Sequence, residues 1–143
     1  MRLIIPLAEV DRIGAHGHRD YPHECCGVLL GLEADGRKLV AEARALTNAR
    51  TDSPRTRFLI SPEEFRAAAR YAEERGLDIL GFYHSHPDSV PQPSEFDREH
   101  AWPWLSYVIL SVEQGRPAVL SSWVLADDRS GFAKEDVVVL NHR

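Results

Sequence analysis

Two histidines separated by one residue, in His84-Ser85-His86-Pro87, are followed by seven residues from Pro87 to Pro93 and then by Ser94-Glu95-Phe96-Asp97. On a strand, side chains two apart point to one face, so His84 and His86 can converge on a single ion. Ser94 and Asp97, three apart, share one face of a helix. Two imidazoles and a carboxylate make three protein ligands. A tetrahedral zinc held this way keeps its fourth position for water, which is the layout of a catalytic site and not of a structural one. Bound zinc can bring the pKa of that water to about 7, so hydroxide is available at neutral pH. Such a site also wants a carboxylate that moves the water's proton to a leaving group. Glu24, just ahead of Cys25-Cys26-Gly27 at the head of a strand, is the candidate. Ser94 can offer its hydroxyl to a developing oxyanion.

Each of these residues also has a plainer reading. Ser94-x-x-Asp97 is an ordinary helix start, a serine cap with an acid in the first turn, and a cap can position the helix that presents a ligand. His84 and His86 without Asp97 would be loop histidines, and Glu24 alone would be a surface carboxylate. Cys25 and Cys26 read as packed strand residues, because free cysteine behaves as a small hydrophobe. His16 and His18 repeat the His-x-His spacing, but on a helix that spacing sends the rings to different sides, so both are expected to face solvent. His23 and His100 are expected to be exposed. Trp102, Trp104 and Trp123 read as core or edge packing, with an apolar wall beside the site as the alternative.

The elements that must position this constellation can be read around it. Leu3 to Ile5 is a short strand, and Pro6 opens a helix whose Leu7, Val10 and Ile13 recur at helical spacing until the Gly17–Pro22 region. Cys25 to Leu32 is a buried strand and Asp35-Gly36 a hairpin turn. Beyond it, Leu39, Ala41, Ala43 and Ala45 alternate with Lys38, Glu42 and Arg44, as on a half-buried strand. A polar loop spans Thr47 to Arg57, and Phe58 to Ile60 is a further short strand. Ser61-Pro62-Glu63-Glu64 is a capping box, Phe65, Ala68, Ala69 and Ala72 give its helix one apolar face, and Gly76 ends it. Leu77 to Tyr83 is an apolar strand that runs into His84, with the histidine pair at its carboxyl end where a loop begins. A short helix from Ser94 to about Ala101 and strands at Tyr107–Val112, Ala118–Leu125 and Asp136–Leu140 complete the chain. This mixture predicts an α+β sandwich, one mixed sheet with flanking helices.

The bulk numbers fit one domain over residues 1–143: an apolar fraction of 43% and a charged fraction of 27% are ordinary for a globular protein. A formal charge of −5 argues against a nucleic-acid partner or an anionic membrane surface, which call for a basic face. No stretch has the ~18 consecutive apolar residues of a membrane span, and none reads as a signal peptide. The two cysteines are neighbours and make a poor disulfide, so a reducing cytoplasm is the expected setting.

The run Gly81-Phe82-Tyr83-His84-Ser85-His86-Pro87, the Ser94-x-x-Asp97 that follows, and Glu24-Cys25-Cys26-Gly27 upstream resemble the JAMM (MPN+) metalloprotease family. The resemblance covers most of the chain, by motif from about Tyr21 to Asp97 and by strand pattern to the end. It implies a cytidine-deaminase-like sandwich, a Zn2+ cofactor on His84, His86 and Asp97, Glu24 as general acid/base and Ser94 as transition-state donor. It also implies cleavage of a peptide or isopeptide bond after the Gly-Gly tail of a ubiquitin-like protein. The stretches about Asn48–Arg57 and His100–Ser106 are short, which resembles the compact prokaryotic members acting on sulfur carrier proteins. Two alternatives stay open at this point. One is a non-catalytic scaffold of the same fold that keeps the metal site. The other is a different metalloenzyme, because two histidines and a carboxylate also suit iron(II) oxygenases.

Overall fold

The computed structural model describes residues 2–47 and 60–141. The expected loop at Thr47–Arg57 and strand at Phe58–Ile60 therefore fall outside the described residues, apart from Thr47 and Ile60. The elements run in the order β1 (Arg2–Pro6), α1 (Leu7–Asp20), β2 (Cys26–Ala34), β3 (Arg37–Leu46), α2 (Pro62–Glu74), β4 (Asp78–Pro87), α3 (Glu95–His100), β5 (Ser106–Glu113), β6 (Arg116–Leu125) and β7 (Phe132–Leu140). The α+β class and the mixed sheet are as expected from sequence. β1 pairs in parallel with both β3 and β7, β4 pairs in parallel with β5, and the other pairs are antiparallel. The β1–β7 pairing goes beyond the expected sandwich: it closes the sheet in the order β1-β3-β2-β4-β5-β6-β7. Closure leaves no free edge for unwanted strand pairing.

Two apolar clusters lie on the two faces of this sheet. One packs Ile13 of α1 against Leu3, Ile5, Leu29, Tyr83 and Val108. The other packs Ala68 and Ala72 of α2 against Val28, Leu30, Phe82 and Tyr107. Helix α1 touches β1 and every strand from β3 to β7, so more than one of its faces is covered. That corrects the reading of His16. Its ring is buried at 5% exposure, and its Nδ1 lies 2.7 Å from the Tyr83 hydroxyl. His18 is exposed as expected, with Nδ1 2.7 Å from the Gly115 carbonyl oxygen.

Helix α2 begins where the sequence places it, with the Ser61 hydroxyl accepting the Glu64 N–H at 3.2 Å. The Glu64 carboxylate reaches elsewhere and accepts the Thr47 N–H at 3.0 Å. Gly76, at φ +67°, ends the helix region in the left-handed conformation that glycine tolerates.

The alternation read along β3 is out of phase at its start. Lys38 is buried and Leu39 exposed, because a bulge between the pairs Leu30↔Glu42 and Gly31↔Val40 shifts the strand by one residue. Lys38 Nζ donates to the Trp104 carbonyl at 2.8 Å and to Ser106 Oγ at 2.7 Å, and lies 3.8 Å from Glu135 Oε2. Glu135 Oε1 accepts from Ser106 and Ser122, so one polar cluster joins β3, β5, β6 and β7. Burial lowers the Lys38 pKa, and the Glu135 charge opposes that shift. Lys38→Met should cost about 3–5 kcal/mol in urea unfolding, because it strands a buried carboxylate. Adding Glu135→Gln to Lys38→Met should recover much of that loss, and an unchanged double variant would show that the charge is not its source.

Candidate metal centre

Strand β4 continues through the histidine pair to Pro87, so both rings project from regular strand at its carboxyl end, as expected from sequence. Their facing depends on a bulge. Leu29 pairs with Gly81 and Leu30 with Ile79, which leaves Leu80 as an extra residue in β4. Leu80 belongs to the α1-side cluster and Phe82 to the α2-side cluster, so the even-numbered positions change face at this point. His84 and His86 follow Phe82 toward α2 and α3. At the same point Gly81 lies tight against β5, where an added Cβ would stand 1.8 Å from the Ser106 carbonyl oxygen.

Asp97 arrives from α3. Ser94 caps that helix by accepting the Asp97 N–H at 3.1 Å, and Asp97 Oδ2 accepts the Ser94 N–H at 2.8 Å. The cap and the shared face are thus one arrangement. The same Oδ2 lies 3.3 Å from His84 Nε2 and 3.3 Å from His86 Nε2, and the two Nε2 atoms are 3.1 Å apart. A tetrahedral zinc with ligands at ~2.0–2.1 Å has ligand–ligand edges of roughly 3.3 Å. The three donors therefore fit one face of that tetrahedron, and among the described residues they form the one cluster of its kind able to hold a metal ion.

The protonation states suit the same task. Burial pushes the His84 pKa down against the pull of Asp97, which favours the neutral imidazole that a metal requires. Burial also works to lower His86, but the hydrogen bond to Asp97, the Val90 carbonyl and the charges of Asp97 and Glu24 outweigh it and raise its pKa. Burial would raise Asp97, yet the His84 charge and the bonds from His84, His86 and the Ser94 backbone hold it far below the carboxylate range. His86 Nδ1 lies 2.8 Å from the Val90 carbonyl oxygen. A carbonyl only accepts, so Nδ1 carries the proton and the Nε2 lone pair is left for an ion. The loop bearing Val90 is tied down next door, where the Pro91 carbonyl accepts from Ser121 Oγ and Trp123 Nε1. Sequence reasoning did not find this support, because a backbone carbonyl leaves no mark in residue type.

Glu24 is buried at 5% exposure. Cys26 pairs with His84, Ser85 N–H donates to the Cys25 carbonyl at 3.1 Å and Cys25 N–H donates to Ser85 Oγ at 2.9 Å, so Glu24 lies just ahead of the point where β2 meets the histidine end of β4. The charge of Glu24 reaches His86 and helps to raise its pKa. Cys25 and Cys26 are free and buried, and burial pushes the Cys25 thiol up to about 11 and Cys26 further, so both are inert packing residues. His23 and His100 are exposed. A cavity of about 470 Å³ opens beside His84 and Asp97, walled by Phe65, Phe82, Phe96, Trp102 and Tyr107. Trp102 thus takes the apolar-wall place, whereas Trp104 is exposed and Trp123 supports the Pro91 carbonyl.

Residues 6–126 match the family model described as prokaryotic homologs of the JAB domain. A desampylase of Haloferax volcanii is 45% identical over 101 residues, covering 70% of this chain and 69% of the relative. A probable TtuB-protein conjugate cleaving protease of Thermus thermophilus is 31% identical, covering 82% and 76%. A CysO-cysteine peptidase of Mycobacterium tuberculosis is 31% identical, covering 87% and 84%. A solution structure of a Desulfitobacterium hafniense protein superposes with a TM-score of 0.85 at 28% identity, covering 99% and 94%. Among the described residues, no helix is long and apolar enough to cross a membrane.

Proposed function

This chain belongs to the prokaryotic JAB-domain family, and on that premise we propose that it is a zinc metallopeptidase cutting after the carboxyl-terminal Gly-Gly of a ubiquitin-like or sulfur carrier protein. The observation that carries this reading is the triangle of His84 Nε2, His86 Nε2 and Asp97 Oδ2, with edges of 3.1 to 3.3 Å, beside an apolar cavity. A relative named for cleaving TtuB-protein conjugates and another named as a CysO-cysteine peptidase support the substrate class.

In this proposal residues 1–143 act as one domain, with His84, His86 and Asp97 as the metal ligands. Zinc held by these residues would supply a Lewis acid and make hydroxide available near neutral pH. Glu24 takes a proton from the attacking water and returns it to the amine as the C–N bond breaks. The Ser94 hydroxyl accepts the Asp97 N–H, and its own proton is free to be donated to the carbonyl oxygen as negative charge develops there.

Ser94→Ala should retain the metal, lower turnover by about 10²–10³-fold as loss of one oxyanion donor does, and cost ~1 kcal/mol as a lost cap. Zinc content, rate and urea unfolding measured together separate these roles. A loss of stability with no change in rate would leave capping as the whole function of Ser94. The reaction itself is tested with a carrier protein joined through its Gly-Gly end either to a peptide lysine or to free cysteine, with products read by mass spectrometry. Stoichiometric zinc without cleavage of either would favour the scaffold reading instead.

A further inference from the structure

We propose that Arg129, in the β6–β7 turn, is the positioning residue that holds the Asp97 carboxylate in place, by capping the carboxyl end of α3. The inference rests on the reading of His84, His86 and Asp97 as metal ligands. Helix α3 has six residues, and the well-buried side chain it carries is that of the ligand itself, Asp97. Isolated helices shorter than ~12–15 residues are marginal in water, so length alone does not hold this one. Its amino end is closed by Ser94 and by Asp97 itself, which means that the ligand is also part of the cap. Its carboxyl end carries carbonyls with no partner inside the helix.

Arg129 supplies those partners from across the fold. Its Nη1 donates to the Ala101 carbonyl at 2.8 Å, and its Nη2 donates to the carbonyls of Arg98 at 3.1 Å and Glu99 at 3.3 Å. Arg98 Nη1 donates back to the Arg129 carbonyl at 3.1 Å. A cation here also meets the negative end of the helix dipole. The turn is shaped to present this side chain. Arg129 has φ +63°, an uncommon state for a residue with a Cβ, and its N–H donates to the Ala126 carbonyl at 2.8 Å. Ala126 N–H donates to the Gly131 carbonyl at 2.9 Å, and Ser130 N–H to Asp128 Oδ1 at 2.9 Å. Arg129 is half-buried while Asp127, Asp128 and Ser130 beside it are exposed. A planar guanidinium reaches three carbonyls at once, which one ammonium does less well.

The test measures zinc affinity by competition with a coloured chelator, amide hydrogen exchange across α3, and the thermal midpoint. The proteins are the wild type, Arg129→Gln, Arg129→Lys and the exposed-turn control Asp127→Asn. Arg129→Gln should lower zinc affinity about ten-fold or more, as loss of a supporting partner does at metal sites. Its α3 amides should exchange faster with little change in the midpoint, Arg129→Lys should recover part of the affinity, and Asp127→Asn should match the wild type. Wild-type zinc affinity in Arg129→Gln would overturn the proposal and leave the ligand assignment standing. A loss that tracks a fallen midpoint and is not recovered by Arg129→Lys would make Arg129 a general structural residue, which also overturns it. A wild-type protein that binds no zinc would remove the ligand assignment and this proposal together.

Discussion

Glu24→Gln should keep one zinc per chain and lose about 10²–10⁴-fold in turnover of a Gly-Gly-linked conjugate, the range that a positioned acid–base group contributes. Glutamine has nearly the same shape as glutamate, so the β2–β4 pairing beside residue 24 is expected to survive. What disappears is the ability to take a proton and return it. Zinc content is the control that needs no substrate. Loss of zinc at neutral pH in Glu24→Gln would show that Glu24 supports the metal and is not the proton carrier.

The parts of this site that could be read from sequence are those set by local periodicity. His84 and His86 are two apart on a strand, and Ser94 and Asp97 meet within one helical turn, so their pairings need no knowledge of the fold. The capped start of α2 and the Asp35-Gly36 hairpin are legible for the same reason. What stayed hidden is non-local. The bulge at Leu80 decides which face the histidines take, yet Ile79-Leu80-Gly81-Phe82 carries no alternation that would reveal it. The inward turn of Lys38 depends on Glu135, almost a hundred residues away, and on the bulge in β3. His16 read as solvent-facing because its spacing from His18 on a helix sends the two rings to different sides and leaves no shared ion to turn them inward, but a sheet that closes on itself covers more of α1. Closure comes from the pairing of the first and last strands, and no spacing within either strand encodes it.

On the proposed ligand set, Asp97→Asn and Asp97→Ala should both lose zinc affinity by well over the ~10–100-fold that a supporting partner is worth, because each would remove a ligand itself. The two variants differ in what they do to α3. Asparagine keeps an oxygen that can accept the Ser94 N–H, whereas alanine breaks that half of the cap. Hydrogen exchange over Glu95–His100 should then be close to wild type in Asp97→Asn and faster in Asp97→Ala. This comparison matters because one oxygen, Oδ2, serves the cap and faces both imidazoles. A single alanine variant would mix loss of charge with loss of position. Asp97 also raises the His86 pKa, so the neutral amide should lower it. Two neutral imidazoles without a carboxylate still attract zinc, but weakly. If Asp97→Asn bound zinc as tightly as the wild type, with α3 in place, the third ligand would have to be another group. The closeness of Asp97 to the histidines would then reflect the helix cap alone.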